Sequence, residues 1–200
     1  MEQHLALALA GTIRHDGNGG VADDLDGVTG LATWLRENAT PLRPYAGDLD
    51  VPGVADERTR REVVALRRAV RSLFAQAVRP GPPSRADSAS LLSPQEAVDR
   101  INETAAAVPV SPVLTWAPDA APTLGWRGGA TDARLRLVAG LARAAAEFIT
   151  GPARERLRAC PAPRCVRYFV QEHPRQAWCK PSCGNRARVA RHYQRQTADR

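Results

Sequence analysis

Four cysteines hold the chemistry this sequence can offer. Cys160, Cys165, Cys179 and Cys183 fall within twenty-four residues, and the 200-residue chain has no other cysteine. Four residues separate the first pair, three separate the second, and thirteen lie between the pairs. Two close pairs of thiolates across such a loop suit a tetrahedral ion, because each pair supplies two ligands from one tight turn and the loop brings the turns together. In a chain without a secretion signal, clustered cysteines are metal ligands more often than disulfides. The pattern therefore predicts one Zn2+ per chain, held by all four thiolates. The alternatives are two disulfides or unpaired thiols in a mobile tail. His173 and His192 are substitute ligands that four cysteines make unnecessary, and both are expected to be exposed.

The flanking residues predict how the sulfurs are brought together. Val166–Val170 is rich in strand formers, Glu172–Arg175 can turn and Gln176–Trp178 can return, so a short hairpin is expected between the two pairs. Gly184 follows the last cysteine, where a backbone without Cβ can turn closely and aim N–H groups at the thiolates. Asn185–Arg195 contains no proline or glycine and is predicted to be helical. Helical periodicity gathers Arg188, Arg191, His192 and Arg195 on one side and leaves Val189, Ala190 and Tyr193 as the packing side. Arg186 falls near Tyr193, so it is expected to be structural, through an aromatic ring or backbone carbonyls.

Charge points the same way. Residues 151–200 carry twelve Arg or Lys against three Asp or Glu, whereas residues 1–150 carry sixteen against eighteen. With one lysine among 28 basic residues, Arg is the default cation, and only the location of the charge is informative. A positive field confined to one end predicts a polyanionic partner. The expected contacts are Arg188, Arg191 or Arg195 with guanine in the major groove, the others of these and Arg167, Arg175 and Lys180 with phosphates. Double-stranded DNA is the expected partner, although the residues themselves do not separate DNA from RNA.

Trp178-Cys179 and the run Cys183-Gly184-Asn185-Arg186 resemble the CGNR zinc-finger proteins, as do the four cysteines, Phe169 and the basic helix. In that family the finger follows a domain called ABATE, and the proteins are stress-induced transcription regulators. The Leu-Ala run at the start, Asp26 and Trp34-Leu35 look like the beginning of ABATE. Knuckle, hairpin, knuckle and helix together resemble a treble clef, with Gly184, Asn185, Arg186 and Trp178 in structural roles, and the family resemblance implies a DNA-binding regulator. Many members have an acidic residue and a longer basic turn after the aromatic strand; here Val170-Gln171-Glu172-His173 is shorter.

The remaining elements must position this module. The alternation at Leu5, Leu7 and Leu9 reads as a strand reaching Ile13, broken by Asp16–Gly20. A short helix is expected from Asp26 or Gly27 through Leu35, a loop over 39–53, and a long amphipathic helix from Val54 to Val78. Residues 80–92 have linker composition. Ser93-Pro94-Gln95-Glu96 then opens a helix with Val98, Ile101, Ala105 and Val108 inward. A hairpin is predicted across 112–129, followed by a helix capped by Thr131 and stopped at Gly151-Pro152. The fold class is α+β: a mostly helical domain over 1–150 with a small antiparallel sheet, and a zinc finger over 151–200. Their cores are expected to be separate, so residues 1–150 should unfold independently.

No phosphate loop, nucleophile elbow or second metal-ligand spacing occurs, and His15-Asp16 reads as a solvated strand-to-turn junction. Trp34, Trp116 and Trp126 read as core residues, with the lining of a ligand pocket as the alternative. The N-terminal apolar run lacks a basic flank and is not read as a signal peptide, and no stretch nears the roughly 20 apolar residues of a membrane span. The resulting expectation is a cytoplasmic, non-enzymatic regulator. Its N-terminal domain senses a small molecule or mediates assembly, including a homodimer, and its finger binds DNA. The rival is a zinc-stabilised protein-interaction module; a third reading puts an enzyme in the N-terminal domain and makes the finger a brace.

Overall fold

The computed structural model describes residues 4–18, 20–87, 91–128 and 132–198. Three helices build the centre. α5 (Glu57–Ala77) begins at Asp56, whose carboxylate accepts the Thr59 N–H at 2.6 Å. α6 (Pro94–Ala106) opens with a complete capping box, in which Ser93 and Glu96 satisfy each other's backbone N–H groups at 3.2 and 2.8 Å. α7 (Ala133–Thr150) is capped by Asp132, which accepts the Leu135 N–H; the cap expected at Thr131 lies outside the described residues. On α6 the inward residues are Ala97 and Ile101, while Val98 is 39% exposed, one position from where the periodicity put it. The predicted hairpin is present as β3 (Val110–Thr115) and β4 (Thr123–Gly128), antiparallel with Leu114 opposite Leu124.

Two expectations fail near the N-terminus. The Leu-Ala run is a helix, α1 (Leu5–Ala10), which buries Leu5, Ala6, Leu9 and Ala10 against α5 and α7. Alanine can be buried as readily as leucine, so the alternation carried no period-2 information, and both residues favour helix. Of that stretch only Ile13–His15 is strand (β1), paired antiparallel with Val21–Asp23 (β2) across a turn that includes Asp16 and Gly20. His15 Nδ1 and Asp16 Oδ1 accept backbone N–H groups inside that turn, a local structural use. The loop expected over 39–53 instead holds α3 (Ala39–Ala46) and α4 (Val51–Val54), after α2 (Val28–Glu37). Pro41 and Pro52 fall in first turns, where a missing N–H is tolerated.

The tryptophans separate. Trp34 is core at 6% exposure, Trp126 is half-buried near the Arg143 guanidinium, and Trp116 is 69% exposed rather than internal.

The main core does not stop at residue 150. After a 3-10 turn at Pro152–Arg156, β5 (Leu157–Ala159) pairs with β6 (Tyr168–Val170), and Leu157 and Tyr168 join the core around Phe74 and Phe148. The Tyr168 ring meets Phe74 edge-on at 5.5 Å. Strand alternation explains how: Tyr168 and Val170 face this core, while Phe169 faces a second cluster with Cys160, Ala162, Cys165 and Cys183. The β5–β6 hairpin is thus one wall shared by two cores, and the expected independence of residues 1–150 is corrected.

Polar bonds fasten this wall. Arg71, 4% exposed, donates to Asp87 Oδ1 at 2.6 Å, to the Ala10 carbonyl, to Ser84 Oγ and to the Val166 carbonyl at 3.2 Å. Tyr168 Oη donates to Asp87 Oδ2 at 2.6 Å and accepts the Ser84 N–H. Burial, then the Asp87 carboxylate, holds the Tyr168 hydroxyl in its protonated form, well above the usual phenol range.

Candidate metal centre and basic helix

The first cysteine pair sits in the turn of the β5–β6 hairpin. The Cys160 N–H bonds the Arg167 carbonyl at 2.9 Å and the Cys165 N–H bonds the Ala162 carbonyl at 3.0 Å, which closes a tight knuckle. Arg164 adopts φ 63° in it, a left-handed conformation unusual for a side-chain-bearing residue. β6 therefore pairs with the strand before the cysteines, not with Gln176–Trp178 as the sequence suggested. The return segment is irregular, held by Gln171 Nε2 donating to the Gln176 carbonyl at 3.0 Å and by Gln176 Oε1 accepting the Glu172 N–H at 2.7 Å.

The second pair straddles the start of α8 (Pro181–Ala198), which begins four residues earlier than Asn185. Cys183 lies in its first turn, and the Cys183 N–H bonds the Lys180 carbonyl at 3.0 Å. Gly184 is inside this helix, so its role is not a turn. A Cβ there would stand 3.0 Å from Trp178 Cδ1, so glycine lets the indole lie against the helix. Trp178, half-buried, covers the sulfur cluster together with Phe169.

The four sulfurs lie within 4.8 Å of one another, with Cys165–Cys179 at 3.6 Å and Cys179–Cys183 at 3.5 Å. Zinc–sulfur bonds of about 2.3 Å at tetrahedral angles require sulfurs about 3.8 Å apart, so the donor set fits the ion. Sharing protons among themselves, the thiols shift strongly. A hydrogen bond to Cys165, then burial, push Cys160 up to about 11 against the opposing bond to Cys179, while bonds donated by Cys160 and Cys179 hold Cys165 far below the usual thiol range. A divalent cation relieves that crowding by replacing the protons.

Arg186 turns inward, and its Nη2 donates to Cys183 Sγ at 3.2 Å, so its partner is a ligand sulfur rather than a ring or carbonyl. A zinc tetrathiolate carries a formal −2 charge, which this guanidinium and the α8 dipole offset. Arg186→Ala is expected to raise the zinc dissociation constant about tenfold, the scale of a charge-assisted hydrogen bond, with any nucleic-acid binding unchanged while the finger remains loaded. Competition with a chromogenic chelator measures this. Unchanged zinc retention with lost nucleic-acid binding would reverse the assignment. Asn185 is exposed, and its Oδ1 accepts from Arg188 Nη2.

Among the described residues of α8 beyond Cys183, only Ala187 is buried; Arg188 and every residue from Arg191 to Thr197 are exposed. Val189 and Tyr193, expected to pack, are 55% and 64% exposed. The packing side runs through Cys183 and Ala187 instead, because the finger is too small to cover more than the first turns. Arg175 and Lys180 are exposed before α8, Arg167 is half-buried in the knuckle, and His173 and His192 are exposed outside the sulfur cluster. The shared wall, with Arg71, Asp87 and Tyr168, was missed. The alternation of Tyr168, Phe169 and Val170 was the available signal.

Fold and site together define a four-cysteine zinc finger whose hairpin is built into a mostly helical α+β domain. Residues 156–196 match the CGNR zinc finger, and residues 3–152 match ABATE, described as a putative stress-induced transcription regulator. The second match covers most of the sequence, and the chain belongs to the ABATE family; its CGNR finger holds one Zn2+. Both matches are regulatory or zinc-finger families rather than enzymes. No curated protein matches the chain significantly. No helix among the described residues is long and apolar enough to cross a membrane.

Proposed function

We propose that this protein is a cytoplasmic transcription regulator that binds double-stranded DNA through α8, under the control of a small ligand sensed by its N-terminal domain. The observation that carries the reading is the form of α8. Its first turn is anchored at the metal centre, and its later turns project with Arg188, Arg191 and Arg195 exposed. An α-helix fits the major groove, where arginine pairs with guanine and an apolar side chain such as Val189 can meet a thymine methyl. Arg175 and Lys180 supply phosphate contacts beside it, with Arg167 as a further one. The finger corresponds to the region over 151–200 and the sensor to that over 1–150. Homodimerisation would double the contacts and raise a modest affinity.

Each phosphate neutralised lowers log affinity against log salt by about 0.9. Full-length protein on random duplex DNA is therefore expected to show a slope of roughly −3 to −5. Changing Arg188, Arg191 and Arg195 together to Gln, which keeps helix propensity, should reduce the slope by up to about 3 if all three neutralise phosphates, and by less for each one that reads a base. Fluorescence anisotropy across a salt series reads both. An unchanged slope and affinity with zinc retained would favour the protein-interaction reading instead.

A further inference from the structure

A cavity of about 300 Å³ is bounded by α1, α3, α7 and the 3-10 turn that leads into β5. Leu5, Pro41, Ala144 and Phe148 give it apolar walls, and the His4 ring stands edge-on to Phe148 at 5.1 Å. Tyr45, Glu147 and Arg156 line it as well.

The Glu147 carboxylate is only half satisfied. Tyr45 Oη donates to its Oε2 at 2.5 Å, whereas Oε1 is buried and accepts no hydrogen bond among the described residues. Arg143, one turn earlier on α7, is near enough to feel the charge, but its guanidinium donates to the carbonyls of Ala105, Val108 and Tyr45. Buried acceptors in native proteins almost always have a donor, so this one calls for a donor from outside the chain. Arg156 is the complementary case. It is exposed, and its side chain makes no hydrogen bond or ion pair among the described residues, with Glu147 or any other. A carboxylate short of a donor and a guanidinium short of an acceptor, on one apolar cavity, select a molecule that carries both an ammonium and a carboxylate. The volume stands at the lower end of small-molecule sites, about 300–1,000 Å³, so the body between those charges must be compact.

We propose that this cavity binds a small aliphatic α-amino acid, its ammonium on Glu147 beside the Tyr45 hydroxyl, its carboxylate on Arg156 and its side chain against Leu5, Pro41 and Phe148. The inference rests on the reading of the N-terminal domain as a sensor and gives that sensor a site and a ligand class. The Glu147 carboxylate turns about a broad, roughly two-fold torsion, so either oxygen can face the ammonium. An occupant ties α3 and α7 to Arg156, which directly precedes β5 and whose carbonyl accepts the Gln171 N–H at 2.8 Å just after β6. Binding therefore reaches both strands of the hairpin that carries the first cysteine pair.

Isothermal titration of the zinc-loaded full chain with L-valine and with L-leucine tests this. Saturable 1:1 binding is expected for at least one. The matching amine, isobutylamine or isopentylamine, and the matching acid, 3-methylbutanoate or 4-methylpentanoate, should each bind about tenfold or more weaker, since each lacks one charged bond. Arg156→Gln, at an exposed position, should leave the melting temperature close to that of the parent and bring the amino acid down to the affinity of its amine. Glu147→Gln keeps an oxygen for the Tyr45 hydroxyl but loses the charge, and should bring the amino acid down to the affinity of its acid. Absence of saturable binding by both amino acids overturns the proposal. So does a preference for the amino acid over its amine that survives Arg156→Gln, a result that does not depend on whether Glu147→Gln folds. The titration contains no DNA. A chain that binds the amino acid but no duplex keeps the cavity's ligand and loses the DNA reading, and one that binds duplex but neither amino acid does the reverse.

Discussion

Removing zinc from the full chain with a chelator, or replacing Cys183 with Ser, is expected to unfold α8 and the irregular segment before it. The small cluster of Cys160, Ala162, Cys165, Phe169 and Cys183 has almost no apolar volume of its own. A structural zinc contributes on the order of 10 kcal/mol or more of folding free energy, which nothing else in that cluster replaces. Far-UV circular dichroism should therefore lose the signal of most of the 18 residues of α8. Acidification should do the same, since protons compete for the thiolates and the stability contributed by the metal is lost as pH falls. The remaining protein is expected to keep one cooperative transition at a lower temperature, because Leu157 and Tyr168 stay in the main core on a hairpin whose other face has lost its packing. An unchanged spectrum and melt in the metal-free protein would refute this arrangement.

The second large effect is expected at Asp87. Asp87→Ala leaves the buried Arg71 guanidinium without its counter-charge and the Tyr168 hydroxyl without its acceptor. Removing one partner of a buried pair costs about 3–5 kcal/mol, against a total stability of about 5–15 kcal/mol for a domain. Tyr168→Phe removes one bond to the same carboxylate and should cost about 1–3 kcal/mol. Pairing Asp87→Ala with Arg71→Met should recover part of the loss, since no charge is then stranded, though the Ala10 and Val166 carbonyls lose their donor. Because the Ala10 carbonyl lies in the main core and the Val166 carbonyl directly follows Cys165 in the knuckle, chemical denaturation followed by core fluorescence and by zinc release should shift together. A shift in only one probe would contradict the shared wall.

The cysteine module, α5, α6, α7 and the β3–β4 hairpin were legible because their signals are local: ligand spacing, helical periodicity, the Ser93–Glu96 capping box and a proline-bounded turn. α1 was not, since Leu and Ala satisfy either period and tertiary contacts decide between them. α3 and α4 were hidden by three prolines: Pro41 and Pro52 are harmless in a first turn, while Pro44 stands inside α3 itself. The partner of β6 was misassigned because Leu157–Ala159 is too short to announce itself, and pairing is a non-local choice. Val189 and Tyr193 were placed on a packing side because amphipathicity shows that a helix has two faces, not whether the body is large enough to cover one.

The wall shared by the two cores also bears on how the chain matures during synthesis. α1 precedes the other described elements, yet it rests on α5, α7 and β6, and the Ala10 carbonyl is held by Arg71 within the network that also grips Val166. This helix must therefore wait for the last described strand before its setting is complete. Its apolar side at Leu5 and Leu9 lacks part of its native cover until then, and folding can close only after residues 157–170 have emerged. Nascent chains stalled before that hairpin should engage chaperones, whereas chains released with the hairpin complete should not, even before metal has been acquired.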